Sequence, residues 1–172
     1  MIAFPPKPTS ILLRKEEFCE NKWVVQPKYR GWRIVIHDND VFTRHGRKLP
    51  IRTDYSCKRF DYQLDGEIIN PRRQTEHAVP TAIKGNYAKL LIFDIYVLSE
   101  PQMTLDERLR LLDDEFDIHV DNRPIDDYSA LEAELTAAIG KGYEGIVIKK
   151  RESIYKASKY VSVIDPDWIK IK

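Results

Sequence analysis

Short runs of branched and aromatic residues, each closed by turn-forming residues, leave this chain little choice but to build itself around sheets. Trp23-Val24-Val25-Gln26 reads as one strand, and Arg33-Ile34-Val35-Ile36-His37 as the next, with alternating faces. Asp38-Asn39-Asp40 supplies turn chemistry ahead of Val41-Phe42-Thr43-Arg44, which predicts a hairpin, and His45-Gly46-Arg47 predicts a further turn. Residues 64–69, 90–97, 145–148 and 169–171 are β-like runs. Pro5-Pro6-Lys7-Pro8 reads as an extended lead-in. Two helices carry capping-box spacing, Thr104 with Glu107 and Ser129 with Glu132. Leu105, Leu109 and Leu112 share a face of the first helix. Leu131, Leu135 and Ala138 share a face of the second, which Gly140 is expected to end. Strands outnumber helices and neighbours read as hairpins, so the expectation is an α+β fold with antiparallel sheets.

A length of 172 residues fits a single domain. Charged residues make up 32% and hydrophobic residues 42%, against about 25% charged in an ordinary domain, so a solvated surface and a real core are both expected. No apolar run approaches the ~18 residues of a membrane span. Met1-Ile2-Ala3-Phe4-Pro5-Pro6 lacks the pattern of a secretory signal, and a cytoplasmic or nucleoid-associated, non-secreted protein is expected. Cys19 and Cys57 are too few for a disulfide framework or a zinc site. The net charge of +1 hides an asymmetry: residues 1–60 carry 13 Lys/Arg against 6 Asp/Glu, residues 61–140 carry 7 against 17, and residues 141–172 carry 8 against 4. If the two basic ends meet in space, they make one positive surface suited to a nucleic acid or a polyphosphate. If they do not, they are solvated faces.

P-loop, GxGxxG and CxxC patterns are absent. Lysines and carboxylates instead stand at strand ends. Lys28-Tyr29-Arg30-Gly31 follows a strand, Asp65-Gly66-Glu67 and Glu144-Gly145 open others, and Trp168-Ile169-Lys170-Ile171-Lys172 closes the sequence. Period-two alternation puts Lys170 and Lys172 on one face, roughly 7 Å apart at ~3.3 Å per residue, a spacing that suits a phosphate. Taken singly, each of these residues is a solvated strand end or a core position.

The order of the segments says more than any one of them. Lys28-Tyr29-Arg30-Gly31, Thr43-Arg44-His45-Gly46, Leu64-Asp65-Gly66-Glu67, Phe93-Asp94, Glu144 to Lys149 and Trp168 to Lys172 follow one another in the chain. This series resembles the covalent nucleotidyltransferase superfamily, and within it the adenylation domain of ATP-dependent DNA ligases. The likeness spans residues 24–172. It implies two antiparallel β-sheets flanked by helices, a ligase-type nucleotidyltransferase (ATP-grasp-like) domain, with residues 1–172 forming one adenylation domain. It also implies an OB-fold domain that these residues do not contain, and hence weak self-adenylation and poor nick sealing by this chain alone.

The resemblance assigns roles residue by residue. Lys28 would be the nucleophile toward ATP. Lys170 and Lys172 would neutralise charge at the α-phosphate, with catalytic weight. Glu67 and Glu144 would hold Mg²⁺ (or Mn²⁺), and Glu67 would also lie near the ribose. Phe93 would stack on the adenine, and Gln26 would contact its edge or be a plain strand residue. Arg33 would contact the ribose or the nick in duplex DNA, and Arg44 the 5′-phosphate. Lys149 is a weaker candidate for phosphate contact, and Trp168 is expected to anchor the last strand. One departure stands out: the family usually has Asp where this chain has Arg30. An RNA ligase and a catalytically silent nucleic-acid-binding module therefore remain alternatives at this stage.

Overall fold

The structure, a computed structural model, describes residues 3–10, 15–19, 22–55, 61–116, 120–158 and 163–172. Cys57 and the first two residues lie outside these, as does the side chain of Cys19. The strands are β1 (Lys7–Thr9), β2 (Trp23–Lys28), β3 (Trp32–His37), β4 (Asp40–Thr43), β5 (Lys48–Arg52), β6 (Tyr62–Ile69), β7 (Lys89–Val97), β8 (Arg123–Ile125), β9 (Gly145–Lys150) and β10 (Ile164–Ile171). The helices are α1 (Lys15–Cys19), α2 (Val79–Lys84), α3 (Leu105–Glu115) and α4 (Ala130–Gly140).

The strands form two sheets of five, ordered β1-β10-β9-β2-β8 and β5-β4-β3-β6-β7. Every pairing is antiparallel except β1 with β10. This is the α+β architecture expected from the hairpin pattern. The β3–β4 hairpin turns through Asp38 and Asn39 at φ 51° and 64°, the paired left-handed residues that a tight twisted hairpin requires. In the first sheet, β1 and β2 come from the basic N-terminal third, and β9 and β10 from the basic C-terminal segment. The two positive ends of the sequence thus meet.

Each sheet has its own core. Ile34, Ile36, Leu64, Ile68, Ile92 and Ile95 of the second sheet pack with Leu112 of α3. Trp23, Val25, Ile146, Ile148 and Ile169 of the first pack with Phe18 of α1 and Leu131 and Ala138 of α4. Val24 of β2 packs with Leu105 and Leu109, so α3 also touches the first sheet.

Thr104 and Glu107 form the expected capping box, with Glu107 accepting from the Thr104 backbone and Thr104 Oγ1 from the Glu107 backbone. Ser129 does not cap α4. Its backbone is helical already, and its N–H and hydroxyl both donate to Asp127. Gly140 stays within α4, and Gly142, at φ +81°, supplies the left-handed residue of the exit. Spacing alone could not separate a true cap from a Ser-x-x-Glu lying one step inside the turn.

Candidate active site

Between the sheets lies a cleft of about 730 Å³. Lys28 ends β2 on its wall, and the β2–β9 register sets Lys28 opposite Gly145, so Glu144 arrives beside it. The Glu144 N–H donates to the Lys28 carbonyl at 2.7 Å. Gly145 sits at φ +152°, and a Cβ there would meet the Ile171 carbonyl at 2.1 Å, so only glycine lets β9 start this close to β10. That approach brings Lys172 to the same carboxylate. Lys28 Nζ pairs with one Glu144 oxygen and Lys172 Nζ with the other. Burial works against ionising Glu144, but the hydrogen bonds from Lys172 and Lys28 win and hold its pKa below the usual glutamate value.

The opposite wall comes from the second sheet. Arg33 and Glu67 face each other across β3 and β6. Gly31 fits under β6 because a Cβ there would lie 2.3 Å from the Ile68 carbonyl. Its backbone N–H hydrogen-bonds Glu67. Burial pushes the Glu67 carboxyl up to about 7, against the pull of Arg33, Lys28 and that N–H. Arg33 makes a fork with Asp65, Nε to Oδ1 at 2.6 Å and Nη2 to Oδ2 at 2.5 Å. It is thus held in the cleft wall by Asp65, with its guanidinium 4.8 Å from the centre of the Phe93 ring.

Phe93 owes its direction to a β-bulge. Against β7, Asp65 pairs with Asp94 and Gly66 with Ile92, so Phe93 is the extra residue. A bulge re-aims a side chain by breaking period-two alternation, and Phe93 lines the cleft while Asp94 and Ile95 are both buried. The Phe93 carbonyl accepts from Gln26 Nε2 at 3.0 Å, and the same amide donates to Asn122. Lys170 and Arg44 also line the cleft. Lys170 makes no ion pair among the described residues, and Arg44 Nε donates to His45 at 3.1 Å. Lys172 reaches the cleft through Glu144.

The structure therefore brings Gln26, Lys28, Arg33, Arg44, Glu67, Phe93, Glu144 and Lys170 to one cavity, with Lys172 at its edge. Among the described residues no group of three or more His, Cys, Asp and Glu side chains could hold a metal ion. Two carboxylates, Glu67 and Glu144, do line the same cleft. That donor set fits Mg²⁺, which binds through one or two carboxylates and completes its shell with phosphate oxygens and water.

A family model for the ATP dependent DNA ligase domain matches residues 1–172. The chain belongs to this family. A search of curated proteins returns no match. Among solved structures, the ligase domain is similar to the Chlorella virus DNA ligase–adenylate at TM-score 0.75 and 19% identity, covering 99% of this chain and 69% of that one. It is similar to the structure named Pmar-Lig_PreS3 at TM-score 0.73 and 17% identity, covering 100% and 47%. An archaeal ATP-dependent RNA ligase gives TM-score 0.65 and 21% identity, covering 91% and 48%. The ligase domain thus spans about half the length of the last two. At these identities the likeness is one of fold, a ligase-type nucleotidyltransferase domain.

Sequence reasoning missed what stands behind the cleft. Asp94 takes Arg108 Nε at 2.7 Å and Lys149 Nζ at 3.4 Å, and Tyr155 donates to Asp65 at 2.7 Å. Asp65 and Asp94 were visible in the ordered segments, but Arg108 and Tyr155 carry no local signal. Pro5, Pro6 and Lys7 also border the cleft.

Proposed function

We propose that this chain is the adenylation domain of an ATP-dependent DNA ligase. Lys28 Nζ attacks the α-phosphorus of ATP, the bond to pyrophosphate breaks, and a lysyl–AMP phosphoramidate forms. AMP then passes to the 5′-phosphate at a nick in duplex DNA, and the 3′-hydroxyl displaces AMP to close the phosphodiester. The supporting observation is the Glu144 carboxylate shared by Lys28 and Lys172 in a cleft that also holds Glu67, Phe93 and Lys170.

A free lysine is only ~0.1% neutral near pH 7.4, a cost of about 4 kcal/mol, so the attacking amine must be helped to lose its proton. Lys170 and Lys172 supply positive charge that favours the neutral amine. Because Glu144 has two ammonium partners, Lys172 still compensates its charge when Lys28 turns to the phosphate. The same lysines meet the charge that grows on the α-phosphate as the attacking Lys28 nitrogen and the leaving pyrophosphate oxygen align. Phe93 offers its ring to the adenine, and the exposed fork of Arg44 suits the 5′-phosphate. Glu67 and Glu144 are the residues that would hold Mg²⁺ or Mn²⁺, which, when bound, neutralises phosphate charge. Sealing calls on an OB-fold domain, supplied elsewhere in the protein or by a partner.

Incubation with α-labelled ATP and Mg²⁺, followed by denaturing electrophoresis, tests the reading. Label on the wild-type chain that is lost in Lys28→Ala is expected; equal label on both overturns it. RNA end joining is a second reading, favoured by Arg30. This exposed arginine lines the cleft two residues past Lys28 without an ion pair among the described residues. Sealing of nicked RNA in preference to nicked DNA, with an OB-fold domain supplied, would decide for it.

A further inference from the structure

Lys149, on β9, is one of the most enclosed charges in the molecule, with a side chain 2% exposed. Its ammonium lies 3.9 Å from the centre of the Trp168 ring on β10 and 5.0 Å from that of Phe93 on β7. The β9–β10 register sets Lys149 directly across from Trp168. Asp94 anchors the ammonium at 3.4 Å and is itself gripped by Arg108. A methionine would fill the same space without burying a charge. What the charge adds is attraction to two aromatic faces, and both rings border the cleft. No hydrogen bond or ion pair joins Lys149 to Lys28 or Glu144 among the described residues.

We propose that Lys149 is a positioning residue for the base of the nucleotide. Anchored on Asp94, its ammonium holds the Phe93 ring, backed by the buried Trp168, as the wall on which a purine stacks. The inference rests on the reading of the cleft as an ATP site, and it separates binding of the base from chemistry at Lys28. It also ties binding to pH. The charged groups that act on Lys149 are Asp94 from β7, Asp65 from β6, Arg33 from β3 and Arg108 from α3. Burial lowers the Lys149 pKa to about 8, with Asp94 and Asp65 opposing and Arg33 and Arg108 assisting. The charge is therefore lost as pH rises through about 8, and the grip on the rings goes with it.

The test is calorimetric titration of ATP into the Lys28→Ala protein, which binds without reacting, from pH 7.5 to pH 9. Adding Lys149→Met is expected to weaken binding about tenfold at pH 7.5. Lys149→Arg keeps most of the affinity and holds it to pH 9, whereas the lysine protein weakens across that range. Equal affinity with Met and Lys, or the same fall with pH in the Arg variant as in the parent, overturns the proposal and leaves the ATP reading standing. If Lys149→Met does not fold, the comparison of Lys with Arg across pH carries the test. Failure of the Lys28→Ala parent to bind ATP at any pH overturns both.

Discussion

Glu144 is the residue on which Lys28 and Lys172 converge, and its replacement is expected to separate label transfer from stability. Glu144→Gln keeps the shape but removes the carboxylate that both lysines share and that would help to hold Mg²⁺. Label transfer from ATP is expected to fall by about 10² or more. The fold should lose no more than about 1 kcal/mol, because Lys28 and Glu144 are about a quarter exposed and Lys172 half exposed, and such pairs add little. Arg108 gives the opposite result. It is buried with Asp94 at 2.7 Å, so Arg108→Met leaves that carboxylate with the longer Lys149 contact as its remaining ion pair and should cost about 3 kcal/mol by urea denaturation. Burial opposes the charge on Asp94, but Arg108 and Lys149 hold its pKa below the ordinary value. The stabilisation is therefore present near neutral pH and is lost as pH falls below about 4. The gap between wild type and Arg108→Met should close in acid. The resemblance carried by the order of the segments was enough to gather Lys28, Glu67, Phe93, Glu144 and the closing lysines, although none of them is decisive singly. Arg108 and Tyr155 were illegible, since a buried ion pair is made by contacts distant in the chain.

Helix caps and the β7 bulge decide matters at the level of elements. Thr104→Ala removes a reciprocal cap from α3 and should lower stability by about 1 kcal/mol, read as a shift in thermal midpoint. Ser129→Ala should cost less, because Ser129 makes no cap bond to α4. Identical spacing in sequence thus predicts unequal effects, and thermal unfolding of the two variants compares them directly. The strands were legible because β-branched runs and Asp38-Asn39 mark them locally. The short β1, β5 and β8 were not, as three to five residues carry too little pattern. Nor was the bulge at Phe93, which exists only in the pairing of β6 with β7.

At the scale of the molecule, the two sheets have separate cores and both line the cleft, and each gives it a different part. The first sheet brings Lys28, Lys149, Trp168 and Lys170; the second brings Arg33, Glu67 and Phe93. The two-sheet expectation came from resemblance, since periodicity names strands without saying which sheet they join. The account stands on Lys28 as the nucleophile toward ATP, and peptide mapping by mass spectrometry after incubation with ATP and Mg²⁺ examines that most directly. The account predicts AMP on the peptide holding Lys28, through a bond cleaved by mild acid as a phosphoramidate is. AMP on any other residue, or an unmodified chain that nonetheless binds ATP, would contradict it.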